Sequence, residues 1–243
     1  MDHVETLPRY LEIQRDLQEH IASGHWAPGN RVPPEHELQA RYQCSRMTVN
    51  KALSALAGAG LIIRKRRTGS FVATPKSQET TLKIHDIKAE ILASGRQYRF
   101  DILKREQRLM TAADAHCLGI TSQGQALSIM VRHMADELPF VMEERLLNLA
   151  VVPSAAQESF SVSPPGTWLL ELVPWTDAEH IIRAEIASAF MARELQLPRP
   201  SACLVIERRT WQAGAAITWV RLTYPGDRHQ LNSHFSPGDR LGM

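Results

Sequence analysis

The sequence predicts an α+β protein with two parts, a small helical domain closed by a two-stranded hairpin and a larger domain built on an antiparallel sheet. Apolar residues recur with helical spacing over roughly the first 60 positions, whereas from residue 98 they mostly alternate along strands. A polar stretch without periodicity, residues 74–81, lies between the two patterns. We therefore predict a first domain over 7–75, a linker and connecting helix over 76–94, and a second domain over 95–236.

The composition is typical of a globular cytoplasmic protein. Hydrophobic residues make up 44% and charged residues 22% of the 243 positions, which is ordinary for this class. No apolar run approaches the roughly 18 residues that a membrane-spanning helix needs, and the first residues lack the pattern of a signal peptide. Cys44, Cys117 and Cys203 are far apart and odd in number, which predicts reduced thiols. We predict no cofactor, no bound metal and no membrane contact.

Positive charge is concentrated in the first domain. Residues 1–76 contain 11 Lys and Arg against 7 Asp and Glu, a net charge of +4, whereas the remainder contains 17 against 19, a net charge of −2. The densest basic run is Arg64-Lys65-Arg66-Arg67. A local excess of this kind suits a phosphate backbone, although an isolated basic run is more commonly a solvated charge cluster.

Three helices are predicted before residue 60. Pro8 suits the first turn of the first helix, and Ser23-Gly24 ends it. The second helix begins at Pro33-Pro34-Glu35, and Gly58-Ala59-Gly60 ends the third. The first helix carries an apolar stripe at Tyr10, Ile13, Leu17 and Ile21.

The third predicted helix has the features of a helix that reads a DNA groove. Ser45 can cap it by accepting a hydrogen bond from a first-turn N–H group, and Val49, Leu53 and Leu56 form one apolar face. The opposite face carries mostly short polar side chains suited to base edges and phosphates. An α-helix fits the major groove and reads it mainly with its N-terminal residues. The alternative is an amphipathic surface helix that binds nothing.

Two short strands are predicted after the third helix, at residues 61–63 and 70–73. The basic run and Thr68-Gly69 lie at the tip of the hairpin that joins them. Three helices followed by such a hairpin form a winged helix-turn-helix.

Five segments carry a resemblance to a known family: Tyr10-Leu11-Glu12-Ile13, Gly24-His25-Trp26-Ala27-Pro28-Gly29, Pro33-Pro34-Glu35-His36-Glu37-Leu38, Ser45-Arg46-Met47-Thr48-Val49 and Gly69-Ser70-Phe71-Val72. In this order and register, they resemble the DNA-binding domain of the GntR family of bacterial transcriptional regulators. The resemblance implies that the chain binds double-stranded DNA. The positions that would contact DNA are Glu35, His36, Ser45, Arg46, Thr48, Asn50, Lys51, Arg66, Arg67 and Gly69.

Three of these positions depart from the usual family pattern. His36 stands where the family commonly has a DNA-contacting Arg, so a contact there would be weaker or pH-dependent. Arg67 replaces the first glycine of the wing and makes the tip more basic and less flexible. Asn50 replaces a common Arg but can make a bidentate contact to adenine.

The second domain is predicted to alternate short helices with antiparallel strands. A connecting helix begins near Ile84 and is closed by Gly95, and Thr111 opens a helix that stops at Gly119. Further helices are predicted at 168–172 and 187–195. Strands are predicted at 98–102, 126–134, 138–149, 178–185, 202–212, 215–224 and 228–235, the last three as a meander.

Residues of this half also resemble a known domain: His133, Pro139, Glu143-Glu144-Arg145 with Asn148, Glu179-His180, Arg208-Arg209-Thr210-Trp211 and Pro225-Gly226-Asp227-Arg228. They resemble the effector-binding domain of the HutC subfamily, the UTRA domain, which has a chorismate-lyase-like fold. Within the subfamily, the segments 45–50, 179–182 and 208–211 are most similar to histidine-utilisation repressors. The resemblance implies a homodimeric repressor of histidine-breakdown genes that binds a palindromic operator and is released by urocanate.

By the same resemblance, the effector would be held by His133, Glu143, Arg145, Trp168, Arg221 and Tyr224. The residue types suit an imidazole acid. An Arg pairs a carboxylate bidentately, a Glu accepts from an imidazole N–H, and a Trp supplies a flat apolar wall. Thr218 and Val131 stand where sugar-phosphate-responsive relatives carry an acid and an Arg, which favours a ligand with a single negative charge.

Each of these residues also has a purely structural interpretation. His133 can be a satisfied strand residue, and Trp168 on a Leu-rich helix can belong to the core. Arg145 and Arg221 can pair with local acids, and Arg208 and Arg209 are expected to be structural or at an interface.

Other functional classes remain as alternatives. An enzyme would need a nucleophile and base that the sequence does not offer, so we predict no catalytic residue. A metal sensor could use some of the ten histidines, but they lack close ligand spacing. A different effector, or activation in place of repression, is compatible with the same sequence.

Overall fold

The computed structural model describes residues 8–66, 68–73, 86–121 and 124–231. The first domain consists of helices α1 (Arg9–Ala22), α2 (Glu35–Tyr42) and α3 (Arg46–Gly58), followed by strands β1 (Ile62–Lys65) and β2 (Gly69–Val72). The two strands pair as an antiparallel hairpin with Lys65 opposite Gly69. The predicted winged helix-turn-helix is therefore confirmed.

The predicted apolar stripe forms the core of this domain. Ile13, Leu17 and Ile21 of α1 are fully buried in one cluster with Val49 and Leu53 of α3. Burying side chains of this size stabilises a fold by about 1.5–3 kcal/mol each. Because this cluster fixes α3 against α1, the polar face of α3 is left at the surface.

The turn between α2 and α3 is set by its end residues. Gln43 ends α2 in the left-handed conformation, with φ of 47°. Two residues later, the Ser45 hydroxyl accepts a hydrogen bond from the Thr48 backbone N–H at 3.2 Å and caps α3. Local sequence thus determines where the groove-reading helix begins.

The second domain is a six-stranded antiparallel sheet in the order β3-β4-β5-β8-β7-β6. Its strands are β3 (Tyr98–Leu109), β4 (Gln125–Ala135), β5 (Leu138–Asn148), β6 (Asp177–Ile186), β7 (Ala202–Gln212) and β8 (Ala215–Pro225). Its helices are α4 (Ile87–Ala93), α5 (Ala112–Leu118), α6 (Pro165–Leu172) and α7 (Ala189–Glu194), with a short 3-10 turn at Pro153–Ala156. The predicted α+β class is confirmed.

Strand register separates the side chains onto two faces. Glu143 lies opposite Leu222 and Arg145 opposite Val220, so these four side chains share one face, which we call the inner face. Helices α4 and α6 pack against it, as the clusters containing Ile91 and Trp168 show. Helices α5 and α7 pack against the opposite, outer face.

Local signals predicted most elements to within a few residues, and one prediction was wrong. The capping box of α5 is present, with Thr111 and Asp114 bonded reciprocally, and Gly119 ends the helix at φ of 69°.

The strand predicted at 228–235 does not form over 228–231, and 232–235 lie outside the described residues. Strand β8 lies between β5 and β7, so both of its edges are already paired. A strand following it therefore cannot continue the meander.

Candidate nucleic-acid interface and ligand cavity

The polar face of α3 is held in place by a network centred on Glu35. One oxygen of Glu35 accepts from Arg46 Nε at 3.1 Å, and the other accepts from Arg64 at 2.8 Å. Arg64 also donates to Asn50 Oδ1 at 2.9 Å and to Ser54 Oγ at 3.0 Å. Side chains from α2, α3 and β1 therefore form one surface in which two arginines share a single acid.

An open depression of about 740 Å³ lies beside this network, between α1 and α3. Lys51 Nζ stands 3.7 Å from the centre of the Tyr10 ring, a cation–π contact that orients the ammonium group. The depression is lined by Arg9, Tyr10, Arg46, Met47, Thr48, Asn50 and Lys51. The lining contains three cations and no acid. Arg9 and Arg46 pair with Glu12 and Glu35, which lie outside the lining, so the surface of the depression itself is positively charged and suited to phosphates.

Several predicted DNA-binding residues take other positions around α3. The Ser45 hydroxyl caps α3, and its oxygen lies 2.9 Å from Thr48 Oγ1. His36 is exposed at the start of α2, and its Nε2 lies 3.9 Å from Glu37.

The wing contributes two of the predicted positions. Arg66 is exposed in the hairpin turn. Gly69 has φ of 111°, and a Cβ there would lie 3.2 Å from the Arg31 side chain, so only glycine suits this position. Arg67 lies outside the described residues.

A chain of buried polar groups crosses the inner face of the second domain. The Tyr98 hydroxyl and His133 Nδ1 are 2.8 Å apart, and His133 Nε2 lies 3.1 Å from Glu143 Oε2. The second oxygen of Glu143 accepts from Arg145 Nε at 2.5 Å. His133, Glu143 and Arg145 are only 1%, 0% and 3% exposed, respectively, so this network is shielded from solvent.

The charges of this network are strongly coupled. Burial alone would raise the pKa of Glu143, but the Arg145 charge and the hydrogen bonds from His133 and Arg145 outweigh it and lower that pKa to about 2. A second arginine, Arg208 on β7, lies nearby. Burial and the neighbouring Arg145 charge lower the pKa of Arg208 to about 10, so it remains protonated at neutral pH.

Two small cavities separate this part of the sheet from α4 and α6. The polar cavity, about 10 Å³, is bordered by Asp86, His133 and Glu143. The apolar cavity, about 20 Å³, is bordered by Val173 and Trp175. Both are also bordered by Arg145, Gly166, Leu170 and Arg208. Each has room for about one water molecule, so a ring-sized ligand could enter only if α4 or α6 moved away from the sheet.

Comparison with known proteins identifies both domains. Residues 9–72 match the bacterial regulatory proteins of the gntR family, and residues 93–230 match the UTRA domain. The chain is 34% identical over 229 residues to the histidine utilization repressor of Pseudomonas aeruginosa, covering 94% of this chain and 92% of that protein. The chain belongs to the GntR family. This regulator is also 34% identical over 228 residues to the histidine utilization repressor of Klebsiella aerogenes, with 94% and 95% covered.

Solved structures agree with this assignment of the regulator. The C-terminal domain of the histidine utilization repressor from Pseudomonas syringae pv. tomato covers 58% of this chain and 99% of its own, at 26% identity and a TM-score of 0.54. PhnF from Mycobacterium smegmatis covers 95% and 100%, at 20% identity and a TM-score of 0.57, and supports the fold alone. The regulator is thus a HutC-like transcriptional repressor with a DNA-binding domain and a UTRA domain.

Three of the six predicted effector residues meet at the polar cavity and three do not. His133, Glu143 and Arg145 border it together. Arg221 lies opposite Glu144 on the outer face and pairs there with Glu185 and Glu207, so it cannot reach the cavity.

Trp168 and Tyr224 are on the inner side but are packed into apolar core. Trp168 meets Phe160 edge-on with ring centres 5.5 Å apart. Tyr224 stacks on His229 at 3.8 Å. Neither residue borders either cavity.

The sequence analysis missed two candidate residues. Arg64 was treated only as part of a basic run, but it bridges Glu35 and Asn50. Arg208 was expected to be structural or at an interface, but it borders both cavities. Its neighbour Arg209 does have a structural role, donating to the Cys117 and His116 carbonyls of α5.

Two further observations concern the part of the chain that the structure describes. Within it, no helix is long and apolar enough to cross a membrane. No group of three or more His, Cys, Asp or Glu side chains is arranged there to hold a metal ion.

Proposed function

We propose that this regulator represses genes of histidine utilisation and is released from its operator by urocanate. The observation that carries the proposal is the similarity, over 94% of the chain, to proteins named histidine utilization repressors. The winged helix would hold the operator, and the UTRA domain would sense the effector.

The chemistry of the cavities supports an imidazole acid as the effector. Urocanate has a carboxylate at one end and an imidazole ring at the other. Arg145 and Arg208 border both cavities and offer cations to a carboxylate. Asp86, which borders the polar cavity but not the apolar one, offers an acceptor to a ring N–H.

The closed cavities suggest how binding would reach the DNA-binding domain. Asp86 caps α4 by accepting from the Lys88 N–H at 3.0 Å, and the same oxygen accepts from Thr167 of α6 at 2.8 Å. Helix α4 is the first described element after the linker. A ligand that separates α6 from the sheet would strain this hydrogen bond and shift α4, so it would favour a different orientation of the winged helices.

We further propose that the regulator acts as a homodimer, because two copies are needed to read both halves of a palindromic operator. Sedimentation of the full chain should give the mass of a dimer at micromolar concentration. A monomer on the operator would contradict this part of the proposal.

The effector assignment is tested by calorimetric titration of the purified full chain. We expect saturable binding of urocanate at a stoichiometry of one per chain, and no binding of histidine or of a sugar phosphate under the same conditions. Histidine tests whether an imidazole ring with a different set of charges is enough for binding. The sugar phosphate tests whether a doubly charged anion binds. Absence of urocanate binding would overturn the assignment and leave the DNA-binding regulator in place.

A further inference from the structure

Arg208 is a buried cation that has no bonded partner in the described part of the chain. It lies in the middle of β7, opposite Val220, and is 7% exposed. Among the described residues, it forms no hydrogen bond and no salt bridge. A buried charge without a partner is costly unless an anion accompanies it.

The neighbouring charges do not neutralise Arg208. Both oxygens of Glu143 are engaged, one by Arg145 Nε and the other by His133 Nε2. Arg145 NH1 points to Thr218 Oγ1 at 3.3 Å. Asp86 is held at the start of α4 by its contacts to Lys88 and Thr167. Of the two carboxylates at the polar cavity, Glu143 is bonded to Arg145 and His133, and Asp86 is bonded to Lys88 and Thr167, so neither is bonded to Arg208.

The first turn of α6 adds to the positive potential at the same place. Helix α6 begins at Pro165, and its N-cap residue, Pro164, makes no side-chain cap. The N–H groups of Gly166 and Thr167 lie in the first turn, where an α-helix provides no acceptor. Gly166 borders both cavities, and a Cβ there would lie 3.2 Å from Arg145 NH2, so its lack of a side chain keeps this approach open. Helix N-termini favour anions for this reason.

We infer that a single carboxylate group of the effector is bound by three groups, which together form its receptor: Arg208, the NH2 group of Arg145 and the first turn of α6. The two cavities are then the two ends of one ligand site, divided by the arginines. This assignment adds Arg208, on the inner face, to the residues predicted to hold the effector, whereas Arg221 lies on the outer face. The inference rests on the proposed function in one respect, because urocanate is the main ligand used to test it.

The test compares urocanate with its methyl ester on the wild type and on Arg208→Gln. Glutamine keeps a polar side chain and removes the charge. We expect the wild type to bind urocanate about 10- to 100-fold more tightly than the ester, because a hydrogen bond to a charged group contributes on this scale. In Arg208→Gln, the two ligands should bind with similar affinity. Arg183→Gln, which changes a partly exposed arginine on the outer face, is the matched control and should behave as the wild type.

A second measurement separates this inference from the choice of urocanate. Propionate carries the carboxylate without the ring, and propionamide is its neutral match. We expect millimolar propionate to raise the melting temperature of the wild type, and propionamide to have no effect. Neither should stabilise Arg208→Gln. Without ligand, Arg208→Gln should melt no lower than the wild type, because the substitution removes an unpaired buried charge.

The outcomes are distinguishable. If the wild type binds no urocanate but shows the propionate effect, and Arg208→Gln loses it, the proposed effector is wrong and the carboxylate receptor stands. If Arg208→Gln keeps the full preference of the wild type for urocanate over the ester, or the full response to propionate, the receptor is wrong whatever the effector.

Discussion

Arg46→Ala should weaken operator binding by about 10- to 100-fold, the range expected for losing one arginine contact to a base or phosphate pair. Arg46 lies in the first turn of α3, where groove-reading helices contact base edges. Its side chain is 77% exposed, and its one ionic partner among the described residues, Glu35, is also bonded to Arg64. The guanidinium group can therefore turn towards DNA without leaving a buried acid unpaired.

The measurement is fluorescence anisotropy with a duplex selected by the wild-type protein from a random pool. Arg15→Ala is the matched control, because Arg15 is an exposed arginine of α1 that does not border the positive depression. Urocanate binding by Arg46→Ala should equal that of the wild type. Equal operator affinity for Arg46→Ala and the wild type would refute the assigned role of Arg46.

Glu143→Gln should lower the free energy of unfolding by about 3–5 kcal/mol, the cost of breaking a buried ion pair from one side. Glu143 is the only acid bonded to Arg145 and His133 in the described part of the network. Its loss would leave Arg145 buried beside Arg208 without the carboxylate to which it is bonded. Urea unfolding followed by fluorescence measures the change. Glu171→Gln on the exposed side of α6 should change stability by less than about 0.5 kcal/mol.

The pH dependence gives this prediction a second readout. The pKa of Glu143 is lowered from 4.5 to about 2 in the folded protein. A lowered carboxyl pKa contributes stability that is complete above the unfolded value and is lost as pH falls towards the folded value. The difference between the wild type and Glu143→Gln should therefore be full at neutral pH and shrink between about pH 4.5 and pH 2. A difference that does not change over this interval would contradict the paired state of Glu143.

Local signals predicted the first domain well because its structure depends on near neighbours. The Ser45 cap, the apolar stripe of α1 and the Gly69 turn each act within a few residues and were found where the sequence placed them. The capping box at Thr111 is another such case. Each of these features is visible in a short window of the sequence.

Which residues border the two cavities depends instead on pairing between strands that are far apart in the sequence. Alternation along a strand could have shown that Arg221 and Tyr224, three residues apart, point to opposite faces. It could not show that β8 pairs with both β5 and β7, which brings Arg208 and Arg145 to either side of Val220. The strand predicted after β8 was wrong for the same reason, since the sequence does not reveal which edges are occupied.

The most direct test of the account is operator release in a single titration. The full chain is bound to the selected duplex at fixed salt, urocanate is added, and anisotropy follows the DNA. The account predicts that urocanate releases the wild type, whereas Arg208→Gln binds the duplex equally well and remains bound at the same urocanate concentration. A wild-type complex that stays intact at urocanate concentrations saturating in calorimetry would contradict the coupling between the cavity and the DNA-binding domain.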